Sequence, residues 1–266
     1  MRRGDHRRVR SGWRRFLVEE PSTVDLLDWG DIREQVRIIG DARSVNGRPV
    51  RDALVGISSL LYSAQHAGGG TPSRGDLHVM DQIVAAARTV SDALAERFVL
   101  PAVHMAVTGP AHGPKPSDAM TTHLWKPLGR LWTAPLSGSA SAWALWAEET
   151  GNARVWDRQI RYESPDIASR VVVDSLETAD ELVGQSTFVA VAHNLERAGI
   201  KRVDFSWRCV LEAECSALQG ERDATAYPSA LGTESSLWLT RPEPVSELHV
   251  TTAPSSSRPE PGWFNY

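Results

Sequence analysis

The chain has 266 residues, of which 41% are hydrophobic and 23% charged, with a formal net charge of −4, the balance of an ordinary globular protein. No stretch approaches the roughly 18 consecutive apolar residues of a membrane-spanning helix, so a membrane partner is not expected. Two cysteines, Cys209 and Cys215, make no disulfide framework, and their spacing is not that of a metal knuckle; buried thiols in a cytoplasmic protein are the expectation.

Residues 1–16 hold seven arginines against one aspartate and lack the apolar run of a secretory signal. They read as a solvated basic arm, with a contact to nucleic acid or an acidic partner as the alternative. Residues 17–97 read as a helical region. Ser22 and Thr23 can cap a first helix, with Val24, Leu27, Val36 and Ile39 as a partial stripe and Gly40 as its stop. Pro49 opens a second, where Val50, Leu54, Ile57 and Leu61 recur at helical spacing, and it runs into a Gly-rich loop at 67–72. A third starts near Asp76 and aligns Met80, Ile83, Ala87, Val90, Leu94 and Phe98.

From 98 to 250 the pattern becomes a Trp-rich α+β domain. Residues 99–107 suit a strand and 109–117 a loop. Residues 122–126 and 131–134 read as two strands joined by a sharp bend at Pro127 and Gly129. A short helix then carries Trp143 and Trp146 on one face. Residues 154–162 and 170–174 read as strands, Ser175 as the cap of a helix over 176–183, and 188–198 as a helix stopped by Gly199. Residues 203–211 and 235–240 are the last strands, and 251–266 form a Ser/Pro-rich tail. Helices first, then strands mixed with short helices, give an α+β class with a mixed or antiparallel sheet.

Tryptophan is the compositional anomaly: eight of ten lie from Trp125 onward. An indole fills a core by default, but it can also form a wall for a planar ring. Lys126 and Arg130 flank the bend and suit phosphate groups. Trp132 and Thr133 alternate along a strand, so one can face a cleft while the other faces the core. His112 and His123 have no acidic or thiol partner at ligand spacing, so no metal is expected. There is no Gly-x-x-x-x-Gly-Lys-Ser/Thr loop, no Gly-x-Gly-x-x-Gly after a strand and no Gly-x-Ser-x-Gly elbow.

The run Lys126-Pro127-x-Gly129-x-Leu131-Trp132-Thr133-Ala134-Pro135, followed by Ser141-Ala142-Trp143 and Trp146, resembles a pattern in uncharacterised bacterial and phage proteins. Val171-Val172-Val173-Asp174 and Thr233-Glu234-Ser235-Ser236-Leu237-Trp238-Leu239 resemble later parts of it. The group in turn resembles the ADP-ribosyltransferase fold. That resemblance implies a split sheet gripping NAD as substrate, in a toxin or phage–host conflict factor with a protein or nucleic-acid acceptor. It implies His104 on an early strand hydrogen-bonding the nicotinamide ribose, and Trp132 and Thr133 lining the nicotinamide pocket. Glu234 would be the late acid that stabilises oxocarbenium-like charge and orients the nucleophile. The chain departs from that pattern in having no Ser-Thr-Ser run, no Glu-x-Glu pair ending at Glu234 and no tyrosine pair. Beside this stands a second reading, a non-catalytic partner-binding or phage-assembly protein. There His104 is a core histidine, Glu234 a loop carboxylate, Thr133 a plain strand residue and Lys126 a surface lysine.

Overall fold

The computed structural model describes residues 29–42, 47–66, 74–93, 102–106, 122–123, 126–127, 130–137, 140–149, 158–184, 186–222, 228 and 231–249. The basic arm, the start of the first helix, the loops at 67–72 and 109–117, Leu94, Phe98, His112, Trp125 and the Ser/Pro tail lie outside the described residues.

Three helices come first: α1 (Trp29–Asp41), α2 (Arg48–His66) and α3 (Arg74–Ala93). Val50, Leu54, Ile57 and Leu61 of α2 and Met80, Ile83, Ala87 and Val90 of α3 are buried, as their three- and four-residue spacing requires of one helix face. Their core is shared. Two later helices, α4 (Ala142–Glu149) and α7 (Trp207–Leu218), insert Ala142, Leu145, Trp207, Leu211, Cys215 and Leu218 into it.

The strands are β1 (Ala102–Ala106), β2 (Thr122–His123), β3 (Lys126–Pro127), β4 (Leu131–Ser137), β5 (Ala140–Ser141), β6 (Arg158–Tyr162), β7 (Arg170–Val173), β8 (Arg202–Phe205), β9 (Ser235–Trp238) and β10 (Pro244–His249). The main sheet runs β10-β6-β1-β4-β9-β8-β7, with β5 paired to β4. Among the described residues every ladder is antiparallel except β7–β8. That parallel pair needs a crossover, which α5 (Leu176–Val183) and α6 (Phe188–Arg197) supply. The two parts of the sheet meet on β4. Leu131, Trp132 and Thr133 pair with Trp238, Leu237 and Ser236 of β9, whereas Ala134 and Pro135 pair with Val103 and Ala102 of β1. The architecture is α+β, with the helical region followed by a mixed sheet and short helices.

Two expectations are corrected. Residues 203–211 are not one strand: β8 ends at Phe205 and α7 begins at Trp207. Ser206 makes the change, because its hydroxyl accepts from the Cys209 N–H and so caps the new helix. Residues 122–126 and 131–134 do not pair across a bend at Pro127. Lys126 and Pro127 instead form β3, paired with β2 in a separate two-stranded ladder, and β4 is taken by β1 and β9. Two strands were not anticipated, the short β5 and the edge strand β10. The edge strand β10 opens with Pro244 and shifts register between Pro244 and Ser246, and proline is tolerated where a ladder begins or bulges. Gly40 does not end α1, which runs on to Asp41, but two other local signals act as written. Ser175 accepts from the Thr178 N–H to start α5, and Gly199 takes a φ of 85° after α6. Among the described residues no helix is long and apolar enough to cross a membrane.

Candidate functional site

The strands that carry chemistry are β4, β9, β8 and β7, and their register sorts side chains onto two faces. Trp132, Leu237, Val203, Phe205 and Val173 fall on one face. They pack with Ala179, Phe188 and Ala192 of the crossover helices and Cys209 and Val210 of α7. The other face carries Leu131, Trp238, Arg202 and Arg170 in one row and Thr133, Ser236, Asp204 and Val172 in the next. Here Tyr162 of β6 reaches Trp238, ring centre to ring centre 6.1 Å. Two strands lie between them, so the sheet curls toward this side.

This polar face is built from buried groups. Asp204 has no exposed surface, yet Arg202 Nε stands 2.8 Å from its Oδ1, and the Ser236 hydroxyl donates to the same oxygen. Arg170 Nη1 lies 3.8 Å from Oδ2. Burial raises the Asp204 carboxyl above its ordinary value, while Arg202, Ser236 and Arg170 pull it back toward the carboxylate. Burial also lowers the Arg202 guanidinium, against the pull of Asp204. With two cations within 4 Å of one acid, the ionised pair is the state the geometry favours. Arg202 Nη1 donates to the Ser164 hydroxyl at 3.1 Å, and its guanidinium lies 5.2 Å above the Trp238 ring centre. The Trp238 indole N–H donates to Thr133 Oγ1 at 2.9 Å, and Thr133 Oγ1 lies 3.5 Å from the Ser236 carbonyl.

The residues expected from sequence fall in different places. Thr133 is on the polar face and fully buried, whereas Trp132 is on the apolar face, stacked on Phe205 at 6.1 Å. Arg130 is turned toward α6, where its Nη2 donates to Glu196 Oε2 at 2.6 Å. Glu234 immediately precedes β9 and is 3% exposed. Of His104 and Lys126 only the backbone is described: His104 pairs with Ile160 on β6, and Lys126 pairs with His123. The strands β1, β4 and β9 lie side by side. His104 and Thr133 are the next residues beyond the last β1–β4 pair, Val103 with Ala134. Lys126 sits apart on the small ladder and Arg130 on the helix side.

Sequence reasoning passed over Arg170, Arg202 and Asp204. The available signal was Arg202-Val203-Asp204-Phe205, in which charged and apolar residues alternate within a strand flanked on both sides. It also passed over Glu214. This carboxyl is fully buried on α7, with its Oε1 2.8 Å from the Ser58 hydroxyl of α2, and the same hydroxyl also meets the Gly232 carbonyl. A hydroxyl has one proton, and a carbonyl can only accept. Ser58 therefore shares its one proton between Glu214 and the Gly232 carbonyl. Burial pushes the Glu214 carboxyl well above its ordinary value, and the hydrogen bond from Ser58 pulls it partly back. Cys209 and Cys215 are free, buried and held in the thiol form by burial. Among the described residues no three His, Cys, Asp or Glu side chains gather as a metal site would require.

Comparison with known protein families, with curated proteins and with solved structures finds no match to this chain.

Proposed function

We propose that this chain is an ADP-ribosyltransferase-like protein that takes NAD as substrate at the polar face of the sheet and passes ADP-ribose to a protein or nucleic-acid acceptor. The observation that supports the reading is the adjacency of β1, β4 and β9, the strands bearing or adjoining His104, Thr133 and Glu234. The bond that breaks joins nicotinamide to the ribose, and nicotinamide leaves with the electron pair. Positive charge develops on the sugar, and a carboxylate beside it lowers that barrier. Glu234 is the group assigned to this role, and the acceptor nucleophile then adds at the same carbon. Lys126 and Arg130 belong to the original phosphate assignment, and Trp132 to the pocket wall. Because Arg130 is held by Glu196 and Trp132 by Phe205, the reading now rests on His104, Thr133 and Glu234. Nicotinamide release from NAD tests it: Glu234→Gln should lower the rate about 100- to 1,000-fold, the size of losing one transition-state partner. Unchanged release from the variant removes the assignment of Glu234.

A second reading is favoured by the burial of Trp132, Thr133 and Glu234: a non-catalytic protein that works by binding a partner. It predicts no NAD turnover, no thermal shift with NAD, and a stable oligomer or complex. Saturable NAD binding in the micromolar range, about −8 kcal/mol, counts against it.

A further inference from the structure

We propose that Arg170 and Arg202 form an anion subsite on the polar face of the sheet, which takes the phosphate group of a small phosphate-bearing molecule. Arg170 is the group left short of partners among the described residues: its side chain is only 4% exposed, and neither its Nε nor its Nη1 has a hydrogen-bond acceptor there. The nearest acid oxygen, Asp204 Oδ2 at 3.8 Å, is beyond hydrogen-bond reach. Asp204 is already committed through Oδ1 to Arg202 and Ser236. Among the described residues, one carboxylate thus faces both guanidinium groups.

A buried charge without a full set of partners is costly, and a buried donor left unbonded costs about 1–3 kcal/mol. An anion beside Arg170 relieves both. The guanidinium fork is the side chain best matched to phosphate oxygens. Arg170 and Arg202 are in-register neighbours on β7 and β8, so their forks start from strands about 4.8 Å apart, close enough for one phosphoryl group to meet both. Val172 is opposite Asp204 on the same face and is 40% exposed, although it is apolar. Ile167, in the turn before β7, is 77% exposed. Described strands pair with β8 on both sides, whereas β7 ends the described sheet path, so Arg170 stands at its margin.

The subsite does not use Glu234 and stands or falls apart from NAD cleavage. Thermal shift and calorimetry test it on the full chain with inorganic phosphate, pyrophosphate and ADP-ribose, each against chloride at equal ionic strength. The wild type should be stabilised saturably by at least one of the three. Tighter binding of ADP-ribose or pyrophosphate assigns a nucleotide-type ligand, and equal binding of inorganic phosphate assigns the free ion. Arg170→Gln should weaken binding at least tenfold and Arg170→Lys less. Val172→Glu keeps the test sound should the arginine variant fail to fold: it places a carboxylate on an exposed position of the same face and should also weaken binding tenfold. The proposal is overturned if none of the three anions acts beyond chloride on the wild type. It is also overturned if Val172→Glu or a folded Arg170→Gln binds with wild-type affinity.

Discussion

Val203 and Phe205 alternate with Arg202 and Asp204 along one four-residue strand, and all four are buried. The first two meet Leu237, Trp132 and Phe188, and the second two meet Ser236, Ser164 and Trp238. Burial alone therefore says little about what holds a strand in place. On the apolar face each group contributes by the area it removes from water, and neighbouring groups can adjust. On the polar face each group is tolerable only while its partners remain. The face is held in a specific arrangement because the alternatives leave charges alone.

The comparison breaks most sharply at Asp204. Asp204→Ala leaves two guanidinium groups buried with no acid between them and should cost about 3–5 kcal/mol in urea denaturation. Phe205→Ala, next along the strand, should cost a similar 3–5 kcal/mol from the cavity it leaves. Shape-preserving substitutions separate them: Asp204→Asn should be nearly as costly as Asp204→Ala, because a neutral amide balances neither guanidinium, whereas Phe205→Leu should cost clearly less than Phe205→Ala, because it refills most of the cavity. Recovery in both would mean that the two faces are held by the same forces.

A smaller effect sharpens the polar side. Thr133→Val preserves shape and removes the acceptor of the buried Trp238 indole N–H, so the expected loss is about 1–3 kcal/mol. A change within about 0.5 kcal/mol, the range of ordinary surface substitutions, would show that the indole finds another acceptor.

Glu214 gives the gentlest test, through pH. Its carboxyl is raised above the ordinary value of 4.5 in the folded chain, so the folded state binds its proton more tightly than the unfolded one. Its stabilisation is full below that value and is lost as pH rises toward the folded value. In Glu214→Gln the amide can still accept from Ser58 and does not titrate. The stability of that variant, followed by urea midpoint from about pH 5 to pH 8, should decline less with rising pH than that of the wild type. Parallel pH profiles would mean that Glu214 is not the group responsible.

The helices were legible because their rule is local. Leu54, Ile57, Met80 and Ile83 declare a buried face by spacing alone, and Ser175 declares a cap. The α+β class followed from the order of such patterns. Sheet partners were not legible, because nothing local in 131–135 says that one end of β4 pairs with β9 and the other with β1. The expected bend at Pro127 failed for that reason. The 203–211 run failed differently: Val203, Phe205, Val210 and Leu211 are all buried, but Ser206 divides a period of two from a period of 3.6. The candidate site was read from Trp132 and Arg130 because they stand in an unusual segment. Their partners, Phe205 and Glu196, are more than 60 positions away, and those partners decide which way each side chain turns.

The sharing of β4 between two neighbours also bears on how the chain reaches this state. The bond from Trp238 to Thr133 spans 105 positions, and those from Ser58 to Glu214 and Gly232 span 156 and 174. Neither the first helices nor the middle strand can be completed by residues near them in the chain. Closing such long loops opposes assembly before any contact rewards it, and folds dominated by distant pairings form slowly. A nascent chain will therefore emerge with α2 and β4 already made and their partners still to come. Its final shape waits on α7 and β9, so the last third of the sequence sets the pace for the whole.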